Sequence, residues 1–263
     1  MATGENGTFS MENSSIIELI NVHKAFDGQK VLDGLDLRIE TGKITVIIGQ
    51  SGGGKSVLLK HMIGLIKPDQ GETLVDGVHI NRLNDRNLND VRKNFGMLFQ
   101  AAALFDSMTV GENVAFPLRE HTRLKPDEIE EIVERKLRQV GLKGSAHKMP
   151  SELSGGMQKR VGLARAVALD PKIILFDEPT TGLDPVTADA IDRLIVDTQK
   201  RTNATCVVIS HDIESTFKIA DTVAMLYRGK IVEIGKPETV KSSDNLVLQQ
   251  FIQGKADGPI QIT

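Results

Sequence analysis

The sequence predicts an α/β fold: a mixed core sheet wrapped by helices, with an antiparallel β portion early and a block of helices inserted later. Three observations predict it. The apolar run Ile44 to Ile48 passes through a glycine-rich turn into a helical stretch beginning near Val57. From Ile173 onward, short apolar strands alternate with helices, which implies parallel strands covered on both faces. Between these regions, residues 105–170 change character and carry helix start and stop signals.

Taken in order, residues 16–48 alternate β-prone runs with turns. The runs are Ile16 to Val22, Val31 to Ile39 and Ile44 to Ile48, punctuated by Gly28, Gly34 and Gly42. Strand-like stretches at Glu72 to Val75 and Val78 to Ile80 complete a mixed sheet with an antiparallel part. Pro126 to Val140 reads as a helix: Pro126 and Asp127 open it, acids fill its first turns, bases close it, and Gly141 is the C-cap. Ile129, Ile132, Val133, Leu137 and Val140 form its apolar face. A second helix spans about Gly156 to Leu169.

The alternation resumes with a strand at Ile173 to Phe176, a helix at Ala188 to Lys200, a strand at Cys206 to Ile209 and a helix at Glu214 to Ala220. Met225 to Tyr227 and Lys230 to Val232 read as a hairpin around Arg228-Gly229. From Pro237 a short helix through Phe251 leads to a loose end at Gly258-Pro259. These readings divide the chain into a disordered tail at 1–14, a main domain at 15–240 with a helical subdomain at about 101–170, and a C-terminal helical extension and tail at 241–263. There is no internal repeat.

Composition narrows the classes. A chain of 263 residues with 40% hydrophobic content supports a well-formed core. A net charge of −3 gives no case for bulk electrostatic binding to nucleic acid or anionic lipid. The single cysteine, Cys206, lies in an apolar run and reads as a buried strand thiol, compatible with a reducing compartment. No apolar run approaches the roughly eighteen residues that span a bilayer. The first fourteen residues lack a basic start and an apolar stretch, so they read as a solvated tail, with Met11 an alternative start. A protein that stays on the side of the membrane where it is made is expected.

The chemistry sits in a few short runs. Gly49-Gln50-Ser51-Gly52-Gly53-Gly54-Lys55-Ser56, flanked by a strand and by Val57, has the context of a phosphate-binding loop. Its glycines let backbone N–H groups converge, and the positive end of the next helix points the same way. Lys55 then reaches the β- and γ-phosphates of a nucleoside triphosphate, and the Ser56 hydroxyl ligates Mg²⁺. The plainer alternative is a glycine turn before a helix. Asp177 and Glu178 end an apolar strand: Asp177 holds Mg²⁺ directly or through water, and Glu178 polarises a water for attack. Capping of the next helix is the alternative role for two acids there. Leu153-Ser154-Gly155-Gly156-Met157 opens a helix, with Ser154 as N-cap and glycines exposing N–H groups to an anion.

That pentapeptide resembles the signature of ABC-type ATPases, with Met157 where the family usually has Gln. The family's other marks stand in the matching order. Gln100 after Met97-Leu98-Phe99 is similar to the Q-loop residue, and Gly182-Leu183-Asp184-Pro185 to the D-loop. His211 looks like the switch histidine, and Phe26 matches the adenine-stacking position, more often Tyr in the family. Seen singly, His211 is a packed or capping residue, Gln100 a plain polar one and Asp184-Pro185 a helix start; their joint spacing carries the likeness. It covers residues 16 to about 236.

What the resemblance implies is a P-loop ATPase acting as a head-to-tail dimer. ATP, with Mg²⁺ at Ser56, Gln100 and Asp177, is clamped between one P-loop and the other subunit's Ser154-Gly155-Gly156. Glu178 is then the base, His211 and Gln100 sense the γ-phosphate and Mg²⁺, and Asp184 links the sites.

A narrower likeness is to the ATPase subunit of bacterial lipid-asymmetry systems, which move phospholipid between inner and outer membranes. It rests on Gln100 to Met108, Pro117 to Thr122, Pro150 to Met157 and the tail Ala256 to Pro259. This implies a peripheral protein on the cytoplasmic face of the inner membrane, partnered by a lipid permease, a periplasmic lipid-binding protein and a small STAS-domain regulator. The C-terminal tail then reaches the neighbouring ATPase subunit. An amino-acid or compatible-solute importer ATPase is the alternative and shares the core motifs. An ABC protein acting on DNA or ribosomes is disfavoured, because no long coiled-coil insertion or second ATPase domain is present. A Ras-like GTPase lacks its Asn-Lys-x-Asp motif here.

Overall fold

The computed structural model describes residues 15–261, so the expected tail at 1–14, Met11 included, lies outside the described residues. Strands β1 (Ser15–Phe26) and β2 (Gln29–Glu40) come first, β3 (Ile44–Ile48) leads into helix α1 (Lys55–Met62), and β4 (Gln70–Val75) and β5 (Val78–His79) follow. Helix α2 (Asp85–Arg92) and β6 (Phe95–Leu98) precede the helices α3 (Val110–His121), α4 (Pro126–Gln139) and α5 (Gly155–Ala166). Then come β7 (Ile173–Asp177), α6 (Pro185–Thr202), β8 (Thr205–Ile209), α7 (Ile213–Ile219), β9 (Thr222–Tyr227), β10 (Lys230–Gly235), α8 (Pro237–Lys241) and α9 (Leu246–Gln253).

The strands form two sheets, one ordered β2-β1-β4-β5 and the other β10-β9-β3-β8-β7-β6. The first is antiparallel throughout. In the second, every pairing from β9 to β6 is parallel, and β10 closes the edge antiparallel. The first third therefore does not form one mixed sheet, as its sequence suggests. β3 leaves its neighbours because all of its residues are buried and all but Thr45 are apolar, as in β8, where Thr205 is the exception. Such strands are stable only where both faces are covered.

Side-chain alternation divides the interior into two cores. Ile47, Leu175, Val207 and Ala224 face α1 and the antiparallel sheet, together with Leu58, Leu59 and Met62. Val46, Phe176, Val208 and Met225 face the opposite way, onto α3 to α6 and the C-terminal helices. Cys206 belongs to this second core, and burial pushes its thiol up to about 12, so it is the inert strand thiol its sequence suggests.

Other elements also differ from expectation. Helix α3 escapes the sequence reading because Pro117 lies inside it, where proline removes a backbone donor. A reciprocal cap offsets this: Thr109 N–H donates to Glu112 Oε2 (2.8 Å) and Glu112 N–H to Thr109 Oγ1 (3.2 Å). The single helix expected from Pro237 to Phe251 is two, because Asn245 accepts from Val247 N–H and Leu248 N–H and starts α9 afresh.

The end at Gly258-Pro259 is tied, not loose. The Gln250 side-chain amide donates to the carbonyls of Lys255, Ala256 and Ile260 (3.2, 3.2 and 3.1 Å) and accepts from Ile260 N–H (2.6 Å). Tyr227 Oη donates to Pro259 O (3.1 Å), and Ile260 is buried in the second core. Up to residue 261 the tail packs on its own chain.

Truncating Gln250 leaves those backbone groups unpaired, which costs about 1–3 kcal/mol for a buried site. Gln250→Ala should raise amide exchange across residues 254–260 while leaving β3, β7 and β8 protected. Unchanged exchange in the tail would contradict this role.

Candidate functional site

At the end of β3 the chain turns sharply. A methyl at Gly49 would lie 2.3 Å from Leu226 O, so only glycine lets the loop root lie against β9. Gly54 adopts a left-handed conformation (φ 96°) at the start of α1, with no side-chain cap on the helix. The first N–H groups of α1 are thereby left for an anion, favoured also by the helix dipole. Lys55 is buried, its Nζ donating to Gly49 O and Gln50 O (both 2.8 Å). Burial pushes its pKa down, while Glu178 and Asp177 oppose that shift. A positive group so poorly hydrated gains strongly from an anionic partner.

Ser56 Oγ donates to Asp177 Oδ1 (3.4 Å), so the structure brings together two of the expected Mg²⁺ ligands. Asp177 is held above the usual carboxylate range, first by burial and then by the charge of Glu178. Among the described residues no cluster of three His, Cys, Asp or Glu side chains could hold a metal alone. One carboxylate and one hydroxyl, with remaining positions for phosphate and water, fit Mg²⁺.

Glu178 has a left-handed backbone (φ 48°), unusual for a non-glycine residue and costing about 1–3 kcal/mol. Its surroundings fix it. Its N–H donates to Ile209 O (3.0 Å), and Thr181 Oγ1 donates to its Oε2 (3.1 Å). His211 Nδ1 lies 3.5 Å from Oε1. The ends of β7 and β8 thus unite Glu178 with His211, separated by 33 positions in the chain.

The other expected residues lie on separate elements. Ser154 caps α5, accepting from Met157 N–H (3.3 Å), and is exposed. A methyl at Gly156 would come within 2.5 Å of Thr187 Cγ2, so the start of α5 abuts the start of α6. Gly155 lies beside Leu183. Asp184 caps α6, accepting from Val186 N–H, Thr187 N–H and Thr187 Oγ1 (3.1, 3.0 and 2.6 Å), and the Thr187 hydroxyl is the main cause of its lowered pKa. Phe26 is 42% exposed, with Lys24 Nζ 5.4 Å from its ring centre. Gln100 is exposed, and among the described residues its side chain forms no hydrogen bond; its carbonyl accepts from Lys159 Nζ.

Lys159 and Arg165 were missed in the sequence. Lys159 is buried, and its Nζ also donates to Glu178 O (3.4 Å). Arg165 donates to Ala102 O and Ala103 O (both 2.8 Å), where both alanines have positive φ. A signal existed: Gly156, Lys159 and Leu163 recur at helical spacing on the buried stripe of α5.

The family described as "ABC transporter" matches residues 32–181. The chain is 46% identical over 249 residues to the intermembrane phospholipid transport system ATP-binding protein MlaF of Haemophilus influenzae, covering 95% of this chain and 94% of that protein. It is 43% identical over 259 residues to a probable ribonucleotide transport ATP-binding protein, mkl, of Mycobacterium leprae, covering 98% of this chain and 74% of that one. Among solved structures, the dimeric ATP-binding cassette MJ0796 in a post-hydrolysis state bound to ADP and Pi superposes with a TM-score of 0.78 at 33% identity, covering 84% of this chain and 98% of that one.

The charged form of Asp177 costs stability at neutral pH, because its folded-state pKa is raised. That cost fades as pH falls through the raised value and the carboxyl takes up a proton. Asp177→Asn should therefore melt at a higher temperature than the parent at pH 7 without nucleotide or Mg²⁺, with the gap closing toward acid pH. Mg²⁺-dependent hydrolysis should be lost. Thermal scans across pH check this, and a lower melting temperature at pH 7 would contradict it.

Proposed function

The chain belongs to the ABC transporter family, and on that premise we propose that it is the ATP-hydrolysing subunit powering phospholipid transport between bacterial inner and outer membranes through a separate permease. The observation that carries the cargo is the 46% identity to a phospholipid-transport ATPase, extending over 95% of one chain and 94% of the other. The amino-acid importer reading has less support. The relative named for ribonucleotide transport is matched over only 74% of its length.

Each residue has a physical task. The N-terminus of α1 and Lys55 hold the phosphate chain of ATP, and Phe26 offers its ring face to the adenine. Ser56 and Asp177, with Gln100, hold Mg²⁺, which when bound offsets the charge of the phosphates. Glu178 polarises the attacking water. His211, beside it, orients the carboxylate and contacts the γ-phosphate. Ser154, Gly155 and Gly156 of a second copy close over the same phosphates, and Asp184, at the foot of α6 beside α5, links the two sites. The dimeric form of the related cassette supports this arrangement.

Among the described residues no helix is long and apolar enough to cross a membrane, which is consistent with a partner that does. Beside Gln100 a groove of about 290 Å³, lined by Phe99, Phe105, Phe116, Pro117 and His121, offers an apolar seat for a permease segment. Phe99 and Phe105 are each 40% exposed there. The reading places the protein on the cytoplasmic face of the inner membrane, without nucleic acid. A periplasmic lipid-binding protein and a STAS-domain regulator complete the assembly. The main domain at 15–240, its helical subdomain at about 101–170 and the extension from 241 are part of the same proposal.

Pull-down of the tagged chain from detergent-solubilised membranes should bring an integral-membrane permease and phospholipid. A soluble substrate-binding protein without lipid would favour the importer instead. Lys55→Ala should abolish nucleotide binding or turnover. Glu178→Gln should keep ATP affinity but lose about 10²–10³-fold in hydrolysis and run as a dimer with ATP on size exclusion. A monomer under those conditions would count against the shared site.

A further inference from the structure

Helix α5 touches more of the hydrolysis machinery than its first turn suggests. Ser154 caps its N-terminus. In the next turn and a half the buried Lys159 donates to Gln100 O and to Glu178 O (3.4 Å). Toward its other end Arg165 grips Ala102 O and Ala103 O. Close packing leaves little slack: a methyl at Gly162 would lie 2.7 Å from Leu98 Cδ1, and one at Gly96 would lie 2.2 Å from Ala166 O. The segment from β6 to Ala103 is therefore held closely against α5.

The carbonyl that Lys159 holds at residue 178 belongs to the strained, left-handed Glu178. That oxygen also accepts from Thr181 N–H (3.3 Å), so two donors keep the turn folded back. An ammonium carries three donors and can serve two carbonyls from separate segments at once. No neutral aliphatic side chain of the same length can do so. Burial pushes the pKa of Lys159 down, and the nearby Glu178 and Asp177 carboxylates counter that shift.

We propose that Lys159 is a positioning residue, binding the Gln100 segment and the Glu178 turn to the helix that begins at Ser154. The Glu178 carboxylate is thereby set for attack only when α5 is seated. Closure of a second subunit on Ser154 and displacement of the Gln100 segment by a permease then reach the same turn through one ammonium. This rests on the reading of Glu178 as the residue that polarises water.

The test is steady-state ATP hydrolysis with purified Lys159→Met, which keeps the aliphatic stem, and Lys159→Arg, which keeps a buried cation with several donors. Misplacing a reacting group by a fraction of an ångström to one ångström costs about 10- to 100-fold, so the Met variant should lose that much in kcat. Its KM for ATP and its affinity for ATP should stay within about twofold of the parent. The Arg variant should recover most of the loss. In a Glu178→Gln background, Lys159→Met should cause no further fall, since it acts through that carboxylate. Should the Met variant not fold, Lys159→Leu carries the same test, again without a donor.

Parental kcat in Lys159→Met, an Arg variant no better than Met, or a further fall in the Glu178→Gln background would each overturn the proposal. If Glu178→Gln alone hydrolyses at the parental rate, the role of Glu178 is what fails.

Discussion

Phosphate groups give up water only where fixed donors and positive charge replace it on every side. On the proposed reading those donors stand in two places. One is the uncapped start of α1 with Lys55, and the other is the start of α5 at Ser154. The two helices have different neighbours: α1 packs on β4 and β7, whereas α5 packs on α3, α4, α6 and β6. Two half-sites on separate layers suit a nucleotide held between two copies of the chain. On the proposed reading the chemistry of the phosphates sets the assembly.

The sheet makes the half-site at α1 stiff. Parallel strands covered on both faces end together, and ligands gather beyond their carboxyl ends. The P-loop follows β3, the Asp177-Glu178 pair closes β7, and His211 follows β8. Leu226 O at 2.3 Å from a notional Gly49 side chain shows how closely the loop root is set on β9. The strain at Glu178 persists because Ile209 O, Thr181, Lys159 and His211 together determine its place.

Legibility followed the range of the interactions. Gly49 to Ser56 could be read because a phosphate loop demands backbone shapes that only certain residues adopt. Helix α4 could be read because its caps and charges are local. Asp177 and Glu178 stood out as acids ending an apolar run. Helix α3 was hidden because Pro117 argues against a helix that tertiary packing then supports, and α2 because it buries only Leu88. The anchored tail depends on Gln250, an ordinary polar residue until Ile260 and Tyr227 are brought to it. Lys159 was missed for a similar reason: its spacing with Gly156 and Leu163 points to a buried stripe, but only the fold places two carbonyls around it.

The most direct measurement is a structure of the Glu178→Gln variant with ATP and Mg²⁺. Two copies should face each other, with Ser154 of each within hydrogen-bond reach of the γ-phosphate held by the other's Lys55. A map in which each nucleotide lies against a single chain, with Ser154 turned to solvent, would contradict the account.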